Sequence, residues 1–429
     1  MPISNHALYY EQDPRVPMTH LNLVFRGSGI QQEPEEKTGL ARFVAKMLFR
    51  GTATLTREEI SHRCELLGAE VSAHVTETDF VVAVSCFTEN LANVLALVET
   101  ILREADFPQH ELELLTKAEF NQLEGFFQEP ERVLSAAHQY VLYDGHSLGK
   151  PGSLKGMNTI VREDLAGFFS NVLTSTLLYV TAISDLPQDG IERTINRFMD
   201  KRGRTGFELK PEIPFREFAA TEAFIVHSEA SRNDRLIWSQ RGLTATDDRR
   251  FDLSLIVDAL GSFEGYLFDE LRNKRGWCYG AYGFLVPATT RPGRLGFYAD
   301  PSLEASEQLI PELLRLLSTF QRDESFTNRL TERNETFKNR YAYQLDLKFK
   351  LVSRVNRDRY GVPILDREAY RRRIDRVTRE SALRVIDDLF DPKRLSMVFY
   401  GDADRVQRAL HDLGFPIRTT IIRKELLVA

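Results

Sequence analysis

Residues Gly39 to Thr52 read GLARFVAKMLFRGT and combine an amphipathic pattern with a glycine near either end. The apolar side chains recur at positions i, i+3, i+4, i+7 and i+8, namely Leu40, Phe43, Val44, Met47 and Leu48. This spacing places them on one face of a helix, the face that a protein buries. Upstream, Thr19 to Arg26 (THLNLVFR) alternates as a strand does. The pattern therefore predicts a strand followed by a helix.

The residues that follow predict a second helix and a pair of strands. Thr56 precedes Arg57-Glu58-Glu59, which resembles a capping box and predicts a helix from there to about Leu67. Gly68 ends it. Val71 to Phe87 then alternates as strands do, with a polar break near Glu77, and Glu89 to Glu104 returns to the helical pattern.

The same order of elements recurs after about residue 228. A helix is predicted at 248–260, strands at 280–286 and 293–299, and a long helix at 303–320. Each half also ends in an apolar strand, a turn and a helix. The recurrence indicates an internal duplication of roughly 200–220 residues.

Two domains of similar build are therefore predicted, at residues 1–200 and 219–429, joined by a linker at 201–218 that contains two Gly and two Pro. The predicted fold class is α+β, with two homologous α/β sandwich domains. Each is expected to have a mostly antiparallel sheet with helices on one face.

Composition and charge exclude several classes of protein. Among 429 residues, 56 Lys and Arg against 62 Asp and Glu leave a net charge of −6, with no local basic block, so no nucleic-acid partner is expected. No apolar run approaches the length of a membrane span, so no membrane partner is expected either. Cys64, Cys86 and Cys278 are odd in number and far apart, which predicts reduced, buried thiols. The start, MPISNHALYYEQD, lacks the regions of a signal peptide, which predicts a cytoplasmic protein, or a periplasmic one if a leader was trimmed.

The segment Gly39 to Thr52 resembles the signature of the pitrilysin/insulinase-like zinc metallopeptidases, approximately GLAHFLEHMLFKGT. That signature contains the inverted H-x-x-E-H motif, with two histidine zinc ligands and a glutamate that activates water. Here the three positions hold Arg42, Ala45 and Lys46, and the family's third ligand, a downstream glutamate, falls on Asn121-Gln122. The resemblance implies a conserved scaffold that has lost its zinc site, so no metal or other cofactor is expected in this chain.

Two further segments resemble the same family. Gly68 to Phe80 (GAEVSAHVTETDF) is similar to the strand that lines the substrate, with Ser72 and Ala73 at the usual Asn-Ala step. This first resemblance implies that Ser72 and Ala73 contact substrate. The second segment, Leu267 to Tyr279 (LFDELRNKRGWCY), resembles LF-x-E-L-R-x-K-x-G-L-x-Y.

The second segment carries an arginine and a tyrosine seven residues apart, Arg272 and Tyr279. In the family this pair faces the zinc from the C-terminal domain and helps to stabilise the tetrahedral intermediate. A guanidinium and a phenol are good donors to a developing oxyanion. The alternative is a surface arginine beside a packing tyrosine.

Outside these segments the sequence carries no second chemical motif. There is no P-loop and no G-x-S-x-G elbow, and the histidines are dispersed without ligand spacing. Cys278 has no histidine near it in sequence, which favours a buried core thiol over a nucleophile. Residues 346–360 are rich in charge and predict a solvated helical face that ends at Gly361.

The resemblance predicts the zinc-free half of a clamshell. Its partner is expected to be a homologous chain with an intact H-x-x-E-H motif and the zinc, and the pair is expected to enclose and cleave peptides. Alone, this chain would be a pseudoenzyme. An alternative is a non-enzymatic scaffold, since core subunits of the respiratory cytochrome bc1 complex resemble this family, or a peptide-binding protein of the same fold. An independent hydrolase with a relocated site has no supporting group of residues.

Overall fold

The computed structural model describes residues 7–150, 152, 154–174, 178–199, 213–229, 231, 233–286, 288–289, 291–411, 413 and 416–428. These residues form two β-sheets, each packed on one side against helices through its own apolar core. The α+β, two-domain fold expected from the sequence is confirmed. None of the helices in the described ranges is both long and apolar enough to cross a membrane.

The N-terminal half contains a five-stranded sheet in the order β1-β5-β2-β4-β3. Its strands are β1 (Ala7–Gln12), β2 (Met18–Arg26), β3 (Ala69–Val75), β4 (Asp79–Phe87) and β5 (Leu178–Ser184). Its helices are α1 (Leu40–Met47), α2 (Arg57–Leu66), α3 (Leu91–Glu104), α4 (Gln109–Phe126), α5 (Pro130–Leu142), α6 (Leu154–Thr159), α7 (Arg162–Thr174) and α8 (Gln188–Met199). Strand β1 pairs with β5 in parallel, and the other neighbours are antiparallel. Strand β3 therefore lies at one edge.

The C-terminal half contains a six-stranded sheet in the order β11-β6-β10-β7-β9-β8. Its strands are β6 (Glu222–His227), β7 (Arg235–Arg241), β8 (Cys278–Val286), β9 (Arg294–Pro301), β10 (Ser396–Gly401) and β11 (Arg418–Ile422). Its helices are α9 (Arg250–Gly261), α10 (Tyr266–Phe268), which continues as a π-helical turn (Asp269–Asn273), α11 (Ser306–Thr319), α12 (Glu324–Asn339), α13 (Leu347–Tyr360), α14 (Arg367–Asp375), α15 (Arg379–Leu389) and α16 (Ala403–His411). Here β8 lies at one edge and β11 at the other.

The two sheets share one topology. Without β11, the order β6-β10-β7-β9-β8 matches β1-β5-β2-β4-β3 position by position. The strand pair β6/β10 is parallel, as β1/β5 is, and the remaining pairs of this set are antiparallel. The duplication inferred from the order of elements is thus present in the strand connections. The predicted linker at 201–218 lies mostly outside the described residues.

The capping box predicted at the start of α2 is present. The Thr56 hydroxyl accepts a hydrogen bond from the Glu59 amide at 3.2 Å, and the Glu59 carboxylate accepts one from the Thr56 amide at 2.8 Å. These two bonds satisfy amide donors that a helix start otherwise leaves unpaired. The local sequence pattern is therefore enough to set this helix boundary.

Helix α13 has the predicted solvated face and ends at Gly361, but the sequence analysis missed that another of its faces is buried. In α13, Leu351 and Val355 are buried against the second face of the N-terminal sheet, where they meet Tyr9 and Tyr179. Helix α5 makes the reciprocal contact, lying on the second face of the C-terminal sheet against β7 and β10. Each sheet thus has its own helices on one face and a helix from the other half on part of its second face.

Candidate functional site

The positions of the zinc motif lie on α1 where it faces α4. Ala45 is buried, and the Lys46 ammonium lies 2.6 Å from a carboxylate oxygen of Glu119 on α4. Gln122, the predicted counterpart, follows Glu119 by three residues, about one helical turn, and is exposed. Glu119 is therefore an acidic residue of α4 that pairs with α1. The sequence analysis placed the family's third ligand at Asn121-Gln122 from an approximate distance along the chain. Such a distance does not fix which turn of α4 faces α1.

The side chains at these positions do not fit a zinc ion. Zinc takes neutral imidazole nitrogens, thiolates and carboxylates as ligands. Here the three motif positions offer a guanidinium, a methyl group and an ammonium (Arg42, Ala45 and Lys46), and Glu119 is already paired with Lys46. Among the described residues, no group of three or more His, Cys, Asp or Glu side chains could hold a metal ion.

The start of α1 is held instead by a buried carboxylate. Glu33 accepts hydrogen bonds from the amides of Gly39, at 2.9 Å, and Ala41, at 2.7 Å. Burial raises the pKa of Glu33, while those two hydrogen bonds and the nearby charge of Arg42 oppose the rise. Gly39 has φ of 104°, a left-handed conformation that favours glycine. The start of the helix is therefore held by a contact within the protein that the sequence analysis missed.

Ser72 and Ala73 lie on opposite faces of the edge strand β3. Ser72 is exposed and lines a groove of about 730 Å³ between the second face of the N-terminal sheet and α13. Ala73 points the other way and packs partly buried against the main core. Successive residues of a strand alternate between faces, so only Ser72 presents its side chain to the groove.

Arg272 and Tyr279 are in direct contact at the edge of the C-terminal sheet. Arg272 belongs to the π-helical turn, and Tyr279 is the second residue of β8. The Arg272 guanidinium donates a hydrogen bond to the Tyr279 carbonyl, and its carbon lies 4.7 Å from the centroid of the Tyr279 ring. The Tyr279 side chain is 77% exposed. The half-buried Arg272 and the exposed Tyr279 thus form one pair, while their catalytic role stays a prediction.

Ion pairs hold the turn that carries Arg272. Glu270 is buried and binds Lys274 and, at 2.7 Å, Arg275, which also reaches Glu312 of α11. These contacts tie the turn to the body of the C-terminal domain. The turn that carries Arg272 is therefore held in place by ion pairs to the rest of the domain.

Cys278, next to Tyr279, is a buried thiol. Burial, reinforced by the carboxylate of Asp300, raises the pKa of Cys278 to about 12, and the charge of Arg272 opposes the rise. A thiol with such a pKa stays protonated at neutral pH and is a poor nucleophile. This agrees with the reading of Cys278 as a core residue.

Comparison with known proteins gives the family. Residues 8–151 match the family model described as insulinase (peptidase family M16), and residues 159–333 match the model described as peptidase M16 inactive domain. The chain belongs to the insulinase family, M16. With Arg42, Ala45 and Lys46 at the motif positions, it is a member of the inactive type.

Relatives and solved structures of the M16 family cover most of the chain. The uncharacterized zinc protease YmxG of Bacillus subtilis is 22% identical over 80% of this chain and 83% of its own length. The crystal structure of a peptidase M16 inactive domain from Pseudomonas fluorescens has a TM-score of 0.80 at 19% identity and covers 93% of this chain and 96% of its own. The first half of the Escherichia coli periplasmic protease PqqL has a TM-score of 0.74 at 15% identity, covering 98% and 97%. This chain matches 50% of the full PqqL chain.

Proposed function

We propose that this protein is the zinc-free subunit of a heterodimeric M16 metallopeptidase that cleaves peptides. It encloses the substrate together with a homologous chain that carries an intact H-x-x-E-H motif and the zinc. It contributes Arg272 and Tyr279 to the partner's active site. The observation that carries the proposal is the contact between Arg272 and the exposed Tyr279 in a chain that has Arg42, Ala45 and Lys46 at the zinc-motif positions.

The chemistry of the pair suits stabilisation of an oxyanion. A guanidinium and a phenol hydroxyl both donate hydrogen bonds, and charge-assisted bonds are the stronger ones. Such donors lower a barrier most when they are held at the place where negative charge develops. The contact between Arg272 and the Tyr279 ring, together with the ion pairs of Glu270, supports a fixed position for the donors.

Pairing is supported by the relation to PqqL. This chain matches one half of PqqL, so the single PqqL chain is long enough for two such units. A C. elegans relative named mitochondrial-processing peptidase subunit beta is 23% identical over 44% of this chain and 42% of its own length. Both observations fit a protein that works as one of two similar units.

The first test is native mass spectrometry on the tagged protein purified from its own host, with zinc measured in the same sample. The expected result is a one-to-one complex with a chain of similar size and about one zinc ion per pair. A monomer or homodimer without zinc would contradict the pairing. It would favour a scaffold or peptide-binding protein of the same fold.

The second test is kinetic and uses the reconstituted pair. Arg272→Ala is expected to lower kcat by about 10²-fold and to raise KM much less, because the contact is stronger in the transition state. Tyr279→Phe removes only the hydroxyl and is expected to act in the same direction. Arg384→Ala, on the exposed side of α15, is the matched control. An unchanged kcat for Arg272→Ala would exclude donation in trans.

We also propose that the protein is located in the cytoplasm. The three cysteines are free and buried, which suits a reducing environment. Cell fractionation of the host tests this. Recovery in the periplasmic fraction would show that a leader directs export.

A further inference from the structure

The buried guanidinium of Arg294 has no ion-pair partner among the residues that the structure describes. Arg294 is the first residue of β9 and is 3% exposed. Its Nη2 donates to the carbonyl of Arg216, and its guanidinium carbon lies 5.0 Å from the centroid of the Phe215 ring. Its Nε is buried without an acceptor. The carboxylate whose charge acts most on Arg294 is Glu217, which pairs instead with Arg241 at 3.1 Å.

A cleft of about 430 Å³ lies beside this guanidinium, between the end of β7, the start of β9 and the end of α15. We propose that the cleft binds a carboxylate with a single negative charge, which pairs with Arg294. The carboxylate belongs to a small organic acid or to the C-terminus of a peptide. The site lies on this chain alone, so the inference does not depend on the heterodimer.

The cleft is separate from the Arg272–Tyr279 pair. Arg294 pairs in the sheet with Val286, the last residue of β8, whereas Tyr279 is the second residue of that strand. Val286 follows Tyr279 by seven residues, which is about 23 Å along an extended strand. A ligand in the cleft therefore does not reach the pair.

The burial of an unpaired charge is the first argument. Burial lowers the pKa of Arg294 to about 10, although the charge of Glu217 opposes the fall. The side chain therefore still carries its positive charge at neutral pH. A buried charge is costly unless a counter-charge and hydrogen bonds compensate it. A backbone carbonyl and an aromatic ring compensate less than a carboxylate does, because charge-assisted hydrogen bonds are the stronger ones.

The balance of charges around the cleft is the second argument. Among the described residues of the lining, the other three arginines each pair with one or two acids: Arg241 with Glu217, Arg249 with Asp247 and Asp388, and Arg394 with Asp391. These four acids are thus engaged, and Arg294 is the arginine left without one. An ion with two negative charges would be repelled by the four acids more strongly than an ion with one. The lining therefore fits a singly charged ligand.

The apolar part of the lining is the third argument. Phe218 is buried and lines the cleft with the half-buried Leu243 and Leu389. Apolar neighbours lower the local dielectric, and a guanidinium–carboxylate contact is stronger there than in open water. The planar fork of a guanidinium also matches the two oxygens of a carboxylate. The cleft therefore fits a carboxylate joined to a short apolar chain.

The test is a ligand-detected NMR titration of the full chain at constant ionic strength. The probes are propionate, its neutral analogue propionamide, and inorganic phosphate. We expect propionate to bind at least tenfold more tightly than propionamide and more tightly than phosphate. The inference is overturned if either of the other two probes binds as well as propionate.

A fourth probe identifies the source of the carboxylate. Acetyl-Gly-Ala ends in a free carboxylate, and acetyl-Gly-Ala-amide is its neutral control. Tighter binding of acetyl-Gly-Ala than of propionate supports a peptide C-terminus as the ligand. Binding at least tenfold weaker than that of propionate supports a small organic acid.

Variants show whether the binding belongs to this cleft. Glu217→Gln removes a competing carboxylate at a site that is 66% exposed, and is expected to tighten propionate binding about threefold. Glu368→Gln, whose side chain is 84% exposed on α14, is the control and should leave it unchanged. Arg294→Met is expected to weaken propionate at least tenfold, whereas Arg384→Met, on the exposed side of α15, has no effect.

The exposed position of Glu217 keeps the test decisive even if Arg294→Met fails to fold. Equal affinities of Glu217→Gln and Glu368→Gln for propionate would overturn the inference. So would a folded Arg294→Met variant that binds propionate as the parent protein does.

Discussion

At the scale of single residues, Lys46 and Glu119 form the ion pair that joins α1 to α4 beside the motif positions. Lys46 is 44% exposed, so its ion pair with Glu119 contributes at most about 1 kcal/mol. The helix itself is held by apolar burial, since Phe43, Val44 and Met47 are almost fully buried. The position of α1 therefore depends mainly on this apolar packing and little on Lys46, which lies on the exposed side of the helix.

His138 is a second residue whose environment sets its chemistry. Its Nε2 lies 2.8 Å from the Ser239 hydroxyl, across the contact between α5 and the C-terminal sheet. Burial, assisted by the charge of Arg294, lowers the pKa of His138 from 6.5 to about 3. Between about pH 3 and pH 6.5, the His138 side chain is therefore protonated in the unfolded chain and neutral in the folded chain.

The free energy of unfolding is therefore expected to fall as the pH drops from 6.5 towards 3. His138 contributes a slope of up to about 1.4 kcal/mol per pH unit over this range. His138→Gln is expected to reduce the slope in urea unfolding measured between pH 6 and pH 4. His62→Gln, at an exposed site of α2, is the control and should follow the parent protein. Equal slopes for the parent and His138→Gln would contradict the assignment.

At the scale of elements, the main feature is that α5 and α13 each pack on the sheet of the other half. Helix α13 packs its Leu351 and Val355 onto the N-terminal sheet, while Val352 on another face is 55% exposed. Arg354 of the same helix donates to the carbonyl and carboxylate of two β1 residues, at 2.8 Å each. The helix thus joins the two domains through both apolar and polar contacts.

Leu351→Ala is expected to lower the free energy of unfolding by about 2–5 kcal/mol, because it leaves a cavity between α13 and the sheet. Val352→Ala, one residue away on the exposed side, is expected to change it by no more than about 0.5 kcal/mol. Urea unfolding of both variants measures the difference. Equal effects would show that α13 is not docked as described.

At the scale of the whole molecule, Arg291 joins the turns of the two edge hairpins. Its guanidinium donates to Glu77 in the β3–β4 turn, to the Tyr143 hydroxyl at 3.0 Å and to the Ile213 carbonyl. It also lies 4.1 Å from the centroid of the Phe215 ring. Arg291 is 11% exposed, so the contact is shielded from solvent. One side chain therefore links the two domains and the segment between them.

A double-mutant cycle with Glu77→Gln and Arg291→Met is expected to give a coupling energy of about 0.5–3 kcal/mol in urea unfolding. The control cycle uses Glu368 and Arg372, which pair at 3.2 Å with side chains 84% and 60% exposed. Its coupling is expected to be near zero. Additive effects of the Glu77 and Arg291 substitutions would show that the contact does not join the domains.

The sequence by itself determined the features that depend on residues close together in the chain. The period of apolar residues predicted α1, the capping box predicted the start of α2, and the repeated order of elements predicted two similar sheets. In these cases the physical signal is local, because helix and strand periods arise from backbone geometry. Arg272 and Tyr279 were paired on different grounds, the resemblance of their segment to one of the family, and the structure shows the two in contact.

Only the tertiary structure decided the contacts between residues far apart in sequence. The pairing of Lys46 with Glu119, the capping of α1 by Glu33 and the burial of Leu351 each depend on how elements meet. Residue periods report which face of an element is apolar but not which surface covers it. For the same reason the charge-rich residues 346–360 predicted a solvated helical face but not the narrow apolar stripe that packs onto the other domain.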